Sequence, residues 1–473
     1  MVETDSTPVA ESPASVCDDR STNYRSSPSM ASTTTFGDFP GVKVQTVGNA
    51  VTGVIVGRRQ TLVLFGPVPE SEFDGSAKYN EPYTFQTRRG PSKKLGDSRL
   101  ATACEQAFGN GTPVDMVYAV PVEPVEVTGE THSGVSQFTL DNNPIDPDSV
   151  SITDEIEAGS VDAVISHADG TAAGAGLSQP SSTNTAHVDP NTGAVYADES
   201  SDYGVDYTYY DFATAINANT TLVDVGETAV MGAVTDSHDV AMELSSAVNT
   251  MRADYRMVKG VAGAQPNMNG GDSNLPYIDV SLFENPLDND SMFLPGPVRT
   301  GDSGGGYGVG AVAGQMASAA LEESIYNASL TNVDLTQRLT PGEIDTFADK
   351  LTIPLEERGG VRMLRNQSTS SASGYPRDYF VRRIIDQTVL IAREIGDSIV
   401  GRINDEETRD TAENQVRAEL ENLAASGLIE PNGDEENFYV DFFEDGASDV
   451  GVELGITPNG IVKRIDTTLT IAV

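Results

Sequence analysis

Residues 379–403 read YFVRRIIDQTVLIAREIGDSIVGRI. Phe380, Ile384, Thr388, Ile391, Ile395, Ile399 and Ile403 recur at helical spacing, while Arg382, Arg383, Arg393 and Arg402 fall around the remaining face. That pattern predicts a long amphipathic helix with one buried stripe. A second helix is expected from about Glu407; it buries Val416, Leu420 and Leu423 and stops at Gly427. Three alternating segments follow, Phe438-Val440-Phe442, Val450-Val452-Leu454-Ile456 and Ile461-Ile465-Leu469-Ile471, each with the period of a half-buried strand. Residues 373–473 therefore read as an α+β module of long helices and a small sheet.

Upstream, the text is of a different kind. Residues 1–38 are rich in Ser, Thr, Pro and Asp without apolar period and read as a flexible arm. Val42, Val44 and Thr46 alternate, and Thr61 to Phe65 forms an apolar run ending at Gly66-Pro67, as a buried strand does. A helix is expected from Leu95 to Phe108, with Cys104 on its apolar face, before a strand at Val117–Val122. Strand, helix, strand implies an α/β layer. Residues 128–210 switch to short alternating pieces separated by Asp, Asn, Pro and Gly, the grammar of an all-β insertion. A helix over Ala241–Met257 and a strand at Tyr277–Val280 return to α/β. The fold class is mixed α/β and multidomain. The expected order is an arm (1–38), an α/β core in two parts (39–127 and 211–372), the inserted β domain (128–210) and the C-terminal module (373–473).

Charge narrows the function. Seventy-one Asp and Glu against 29 Lys and Arg leave −42, a charge that makes a compact chain repel itself unless salt screens it. Only seven of those cations are Lys, the composition of proteins from salt-in halophiles. A hydrophobic content of 38% argues against a disordered acidic chain. No Lys or Arg occurs from 100 to 251, a stretch expected to face solvent. Without a basic patch a nucleic-acid partner is not expected. No apolar run reaches membrane-spanning length and no secretory signal opens the chain, so membrane insertion is not expected either. Two cysteines, Cys17 and Cys104, are too few for a disulfide framework.

Several segments, in order, resemble the tail sheath family of contractile phages and related injection machines. They are Phe39-Pro40-Gly41-Val42-Lys43-Val44, Leu62 to Pro67, Leu95-Gly96 with the helix to Asn110-Gly111, Asn143-Pro144-Ile145, Asp189 to Val195, Gly310-Ala311-Val312-Ala313-Gly314, and Tyr379-Phe380-Val381-Arg382-Arg383. The resemblance spans most of 39–473 and does not separate a virion from a tail-like injection particle. It implies a structural subunit, not an enzyme, assembled in the cytoplasm of its host, which the composition reads as halophilic. The product would be helical hexameric rings around a tail tube protein, joined to baseplate and tail terminator proteins and contracting to drive the tube through an envelope. It further implies inter-subunit strand exchange through Val42, Val44 and Thr46 and through Ile461, Ile465, Leu469 and Ile471. The C-terminal module would line the tube through Arg382, Arg383, Arg393 and Arg402. No cofactor is expected.

Two other classes compete. Gly301-Asp302-Ser303-Gly304-Gly305 spells the nucleophile motif of trypsin-like proteases, and Thr185-Ala186-His187 echoes their histidine segment. Both lie in text unlike a pair of β-barrels, His187 in what reads as a loop. Five Asn-x-Ser/Thr sequons, at Asn110, Asn219, Asn289, Asn327 and Asn366, raise a surface-layer protein. His132, His167, His187 and His238 lack paired metal-ligand spacing. Asp141, Asp146 and Asp148, and the run Asp434-Glu435-Glu436, read as solvated acidic loops that lack the features of a calcium loop.

Overall fold

A computed structural model of the chain describes residues 60–73, 78–110, 116–156, 159–165, 182–190, 192–264, 287–296, 308–333, 335, 340–357, 359–371, 377–433, 437–446 and 449–460. The arm 1–38, the segments Val42–Thr46 and Ile461–Ile471, the expected strand at Tyr277–Val280, the Gly301–Gly305 motif, Cys17, His167 and the Asp434–Glu436 run lie outside them.

The first elements are β1 (Thr61–Pro67), β2 (Tyr83–Phe85), α1 (Gly90–Leu95), α2 (Arg99–Gly109) and β3 (Val117–Val122). A β-rich segment follows: β4 (Pro124–Thr139), β5 (Ser151–Asp154), β6 (Gly159–Ile165), β7 (Thr185–Val188) and β8 (Ala194–Tyr210). The α/β text resumes with α3 (Phe212–Ala218), β9 (Thr228–Ala233), α4 (His238–Ala253), β10 (Met257–Ala262) and β11 (Met292–Phe293). Next come β12 (Pro295–Gly296), α5 (Val309–Ser318), β13 (Ser329–Leu330), α6 (Pro341–Asp349), β14 (Ile353–Glu357) and β15 (Val361–Met363). The last described elements are α7 (Tyr379–Ile399), α8 (Glu406–Ala425), β16 (Phe438–Glu444) and β17 (Val450–Ile456).

Six strands form the core sheet in the order β11-β10-β9-β1-β3-β2, parallel except for β2. Its centre is apolar on both faces because both are covered. Leu62 and Leu64 point into a core with α2 and α5, while Val63 and Phe65 join one with α3 and α4. Cys104 is buried in the first of these, and burial pushes its thiol pKa up, which suits the core role read for it. The helix expected from Leu95 to Phe108 is divided. Gly96 sits at φ 59°, open to glycine and strained for other residues, and Ser98 then caps α2 by accepting from the Ala101 amide at 3.2 Å.

Helix α5 contains Gly310-Ala311-Val312-Ala313-Gly314 and packs on α2 at backbone distance. A Cβ on Gly310 would lie 2.1 Å from the Ala103 carbonyl oxygen, and one on Gly314 would lie 2.5 Å from that of Ala107. The small-residue spacing that marks this motif is thus a helix–helix contact, which larger side chains would force apart.

Strands β4 to β8 form a separate sheet in the order β4-β8-β5-β6-β7, and β7 also pairs with β8, so part of it closes on itself. It has its own core around Ile152, Val188, Val195, Tyr203 and Val205. Its ends meet: Pro124 pairs with Tyr210, and the Asp211 amide donates to the Glu123 carbonyl at 3.0 Å. Two expectations change here. The stretch without Lys or Arg is not wholly solvent-facing, because β3 and β9 are central strands of the core sheet. His187 lies in strand β7, paired with Val164 on one side and Tyr196 on the other, and not in a loop.

The expected helix through Met257 also needs correction. Helix α4 ends at Ala253, Tyr255 turns at φ 60°, and Met257 opens β10, whose six residues are all buried. Four of the five sequon asparagines, Asn110, Asn219, Asn289 and Asn366, are buried and hydrogen-bonded. Asn110, for example, donates to Gln106 and Thr331 carbonyls and accepts from the Thr331 amide at 2.7 Å. A glycan has no room at these positions, which removes the main support for a surface-layer protein.

Candidate functional site

The C-terminal module is built by two capped helices and a hairpin. Asp378 accepts from the Phe380 amide at 2.9 Å and starts α7; Asp405 accepts from the Thr408 amide at 2.9 Å and starts α8. The α7 stripe of Phe380, Ile384, Ile391, Ile395 and Ile399 meets Val416, Leu420 and Leu423 of α8 and Phe438, Val440 and Phe442 of β16. The stripe ends one turn earlier than its spacing predicts: Ile403 follows the helix and is 78% exposed.

Strands β16 and β17 pair antiparallel, with Phe438 opposite Ile456 and Phe442 opposite Val452. The helices cover β16 well and β17 poorly. Val452 shares the inner face with buried Phe442 yet is 43% exposed, and Val450, Leu454 and Ile456 are half-buried. On the other face the glycines of β17 lie under aromatic rings. Tyr439 crosses Gly455, its hydroxyl donating to Glu453 at 2.9 Å, and Phe443 crosses Gly451. Among the described residues this sheet has two strands, so each has an edge without a strand partner.

At its other end, α7 is anchored in the core by buried charge. Asp386 receives Lys259 of β10 at 2.8 Å, Arg252 of α4 at 2.7 Å and Arg382, one turn earlier, at 3.1 Å. Arg382 also pairs with Asp290. Burial lowers the Lys259 pKa, and the Asp386 carboxylate opposes that shift. Arg383 donates to the Ala319 and Ala320 carbonyls, each at 2.7 Å, just past the end of α5 where helix carbonyls lack partners. Tyr379 is buried, and its hydroxyl donates to the Met316 carbonyl at 2.7 Å.

Three of the four arginines expected to line the tube, Arg382, Arg383 and Arg393, make contacts within the subunit. Arg382 and Arg383 are engaged inside the subunit, and Arg393 packs 4.7 Å over the Tyr255 ring and pairs with Asp397 at 3.5 Å. Arg402 is exposed. The reason is electrostatic: buried Asp386 and the carbonyls after α5 require donors, and α7 supplies them. Asp386, Lys259 and Arg252 were absent from the sequence-derived site. The i, i+4 spacing of Arg382 and Asp386 was the one local signal for them.

Among the described residues no group of His, Cys, Asp or Glu is placed to hold a metal ion, and no helix is long and apolar enough to cross a membrane. Asp146 caps the turn at Pro147–Ser149 and accepts from the Tyr210 hydroxyl at 3.2 Å. His132 contacts Glu130 at 2.9 Å and stacks on Phe138.

No protein-family model matches this sequence, and no curated protein does. Solved structures do. The helical sheath of the anti-feeding prophage in its contracted state matches with TM-score 0.53 and 12% identity, over 92% of this chain and 99% of that one. The contracted sheath complex of PVC, an extracellular contractile injection system, matches with TM-score 0.53 and 11% identity, over 92% and 98%. A sheath tail protein of Desulfitobacterium hafniense matches with TM-score 0.49 and 10% identity, over 87% and 99%. The chain thus has the multidomain α/β fold seen in contractile sheath subunits.

Proposed function

We propose that this protein is the structural subunit of a contractile sheath, on a viral tail or a tail-like injection particle, and has no enzymatic role. Copies form helical hexameric rings around a tail tube protein, bounded by baseplate and tail terminator proteins, and contract to drive the tube through a host envelope. The observation that carries this reading is the hairpin β16–β17, whose apolar inner face is incompletely covered, at the C-terminal end of a chain with a sheath fold. Strands from neighbouring copies, Val42, Val44 and Thr46 from one and Ile461, Ile465, Leu469 and Ile471 from another, complete that sheet through main-chain hydrogen bonds. Strand links on flexible connections hold the polymer together while subunits slide and rotate between an extended and a contracted lattice. The extended lattice is a kinetic trap that relaxes by burying more surface.

The C-terminal module faces the tube, with Arg402 available to an acidic tube surface, and the acidic β segment 128–210 faces outward. A charge of −42 supports assembly in a halophilic cell. The test is deletion of residues 461–473 followed by electron microscopy. Folded subunits that form no tubes are expected; normal tubes from the truncated chain would remove strand exchange from the reading.

A further inference from the structure

The last residue before β1 has an unusual position. Gln60 is buried at the head of the strand that sits between β9 and β3, and it is where residues 1–59 join the described body. Its main-chain amide donates to the Ala317 carbonyl at 3.2 Å. Its side-chain Nε2 donates to the Tyr379 hydroxyl at 2.8 Å and to the Met316 carbonyl at 3.1 Å. Its Oε1 accepts from Lys259 Nζ at 3.4 Å, and Lys259 pairs with Asp386. The point where the N-terminal segment enters the core and the first turn of α7 therefore share one buried polar cluster.

The segment that enters there differs from the rest of the chain. Residues 39–59 contain Lys43, Arg58 and Arg59 and no Asp or Glu, in a protein of net charge −42. They also carry the alternating Val42 and Val44. A cationic, β-patterned segment suits an acidic surface such as that around β16 and β17, which bears Asp441, Glu444, Asp445, Asp449 and Glu453. Residues 39–59 connect to the described body through Gln60.

We propose that Gln60 and Tyr379 form a positioning clamp that fixes the exit of the N-terminal segment against the base of α7. Tension through residues 39–59 then reaches the C-terminal module at Tyr379 without crossing the segment 124–210. The proposal rests on the sheath reading only for the source of the tension. Mechanically, the clamp works because Gln60 is bonded at one point to α7 through Tyr379 and to α5 through the Met316 and Ala317 carbonyls. Gln60 holds Tyr379 directly and, through Lys259, reaches Asp386 about 10 Å further along the helix, at 1.5 Å per residue. An apolar residue at position 60 would fill the space without tying the two elements. A buried amide is retained at a cost in desolvation, which its hydrogen bonds offset.

The test is force measurement on single full-length subunits with peptide handles inserted after residues 45 and 433, and, as control geometry, after residues 157 and 433. Gln60→Leu and Tyr379→Phe are expected to lower the first rupture force between 45 and 433 by about twofold, because forced opening follows the barrier of the loaded contacts. The force between 157 and 433 should stay unchanged. Tyr379→Phe keeps the packed ring and carries the test if Gln60→Leu fails to fold. Unchanged force between 45 and 433, or equal losses in both geometries, overturns the clamp. Tube formation by the unmodified chain is scored separately: its failure sinks the sheath reading and leaves the force result standing by itself.

Discussion

Lys259 Nζ lies 2.8 Å from Asp386 Oδ2, and both side chains are 1% exposed. This pair joins a core strand to the long helix of the C-terminal module, and the helix brings no other carboxylate to that cluster among the described contacts. Removing the negative partner leaves Lys259, Arg252 and Arg382 facing a neutral group. Asp386→Asn is therefore expected to destabilise the chain by about 3–5 kcal/mol, the usual cost of breaking a buried pair from one side. Denaturant melts at high salt measure it, and a change below about 1 kcal/mol, the range of exposed pairs, contradicts the assigned burial.

The contact between α2 and α5 depends on the absence of two side chains. Gly310→Ala places a methyl 2.1 Å from the Ala103 carbonyl oxygen, so the helices must separate. A loss of about 1–3 kcal/mol or more is expected from such overpacking. Because the clash is with main chain, adding Ala103→Gly should not restore stability. Full rescue by that second change contradicts a backbone contact.

Alkaline pH should act on the β-rich segment 124–210. Burial, reinforced by the hydroxyl's bond to Glu130, pushes the Tyr207 pKa up to about 12, and burial does the same for Tyr203. Both folded values lie above the ordinary 10.0 of the unfolded chain. Their contribution to stability is thus complete below pH 10 and is lost as pH rises through about 12. Thermal melts across that range should show the decline, and Tyr207→Phe should flatten it. A decline equally steep in the variant assigns it to other groups.

Polymers of this chain should persist at molar KCl and loosen on dilution, since a charge of −42 per subunit must be screened for copies to lie side by side. Light scattering during stepwise dilution follows this directly. Tubes equally stable in dilute buffer would show that specific contacts, not screening, hold them.

A serine-directed fluorophosphonate should leave Ser303 unmodified in folded protein at high salt. His187, the histidine of the apparent protease pattern, is held in β7 by pairing on both sides. Labelling that disappears in His187→Ala would instead establish an active serine.

Local signals determined a large part of this protein. Helix α7 and helix α8 were legible because their apolar residues recur at helical spacing, whereas the capping roles of Asp378 and Asp405 came from the structure. The buried strand β1 and the hairpin β16–β17 were legible because uniform apolarity and alternation report how many faces of a strand are covered. The order of these segments was enough for the sheath resemblance. Periodicity tells which face of an element is buried, and says nothing of what that face meets.

Tertiary structure alone decided the partnerships. Arg252 and Asp386 are 134 residues apart, and only the packing of α7 against α4, β10 and the end of α5 turns Arg382 and Arg383 inward. Lys259 was hidden in text read near the end of a helix, because a lone lysine in Met257–Ala262 gives no local sign that a carboxylate will neutralise it. Gly310 and Gly314 read as a short motif until α2 was brought to backbone distance. A buried charge or a bare helix face is tolerable only with its particular neighbour in place, and that neighbour is chosen by the fold of the whole chain.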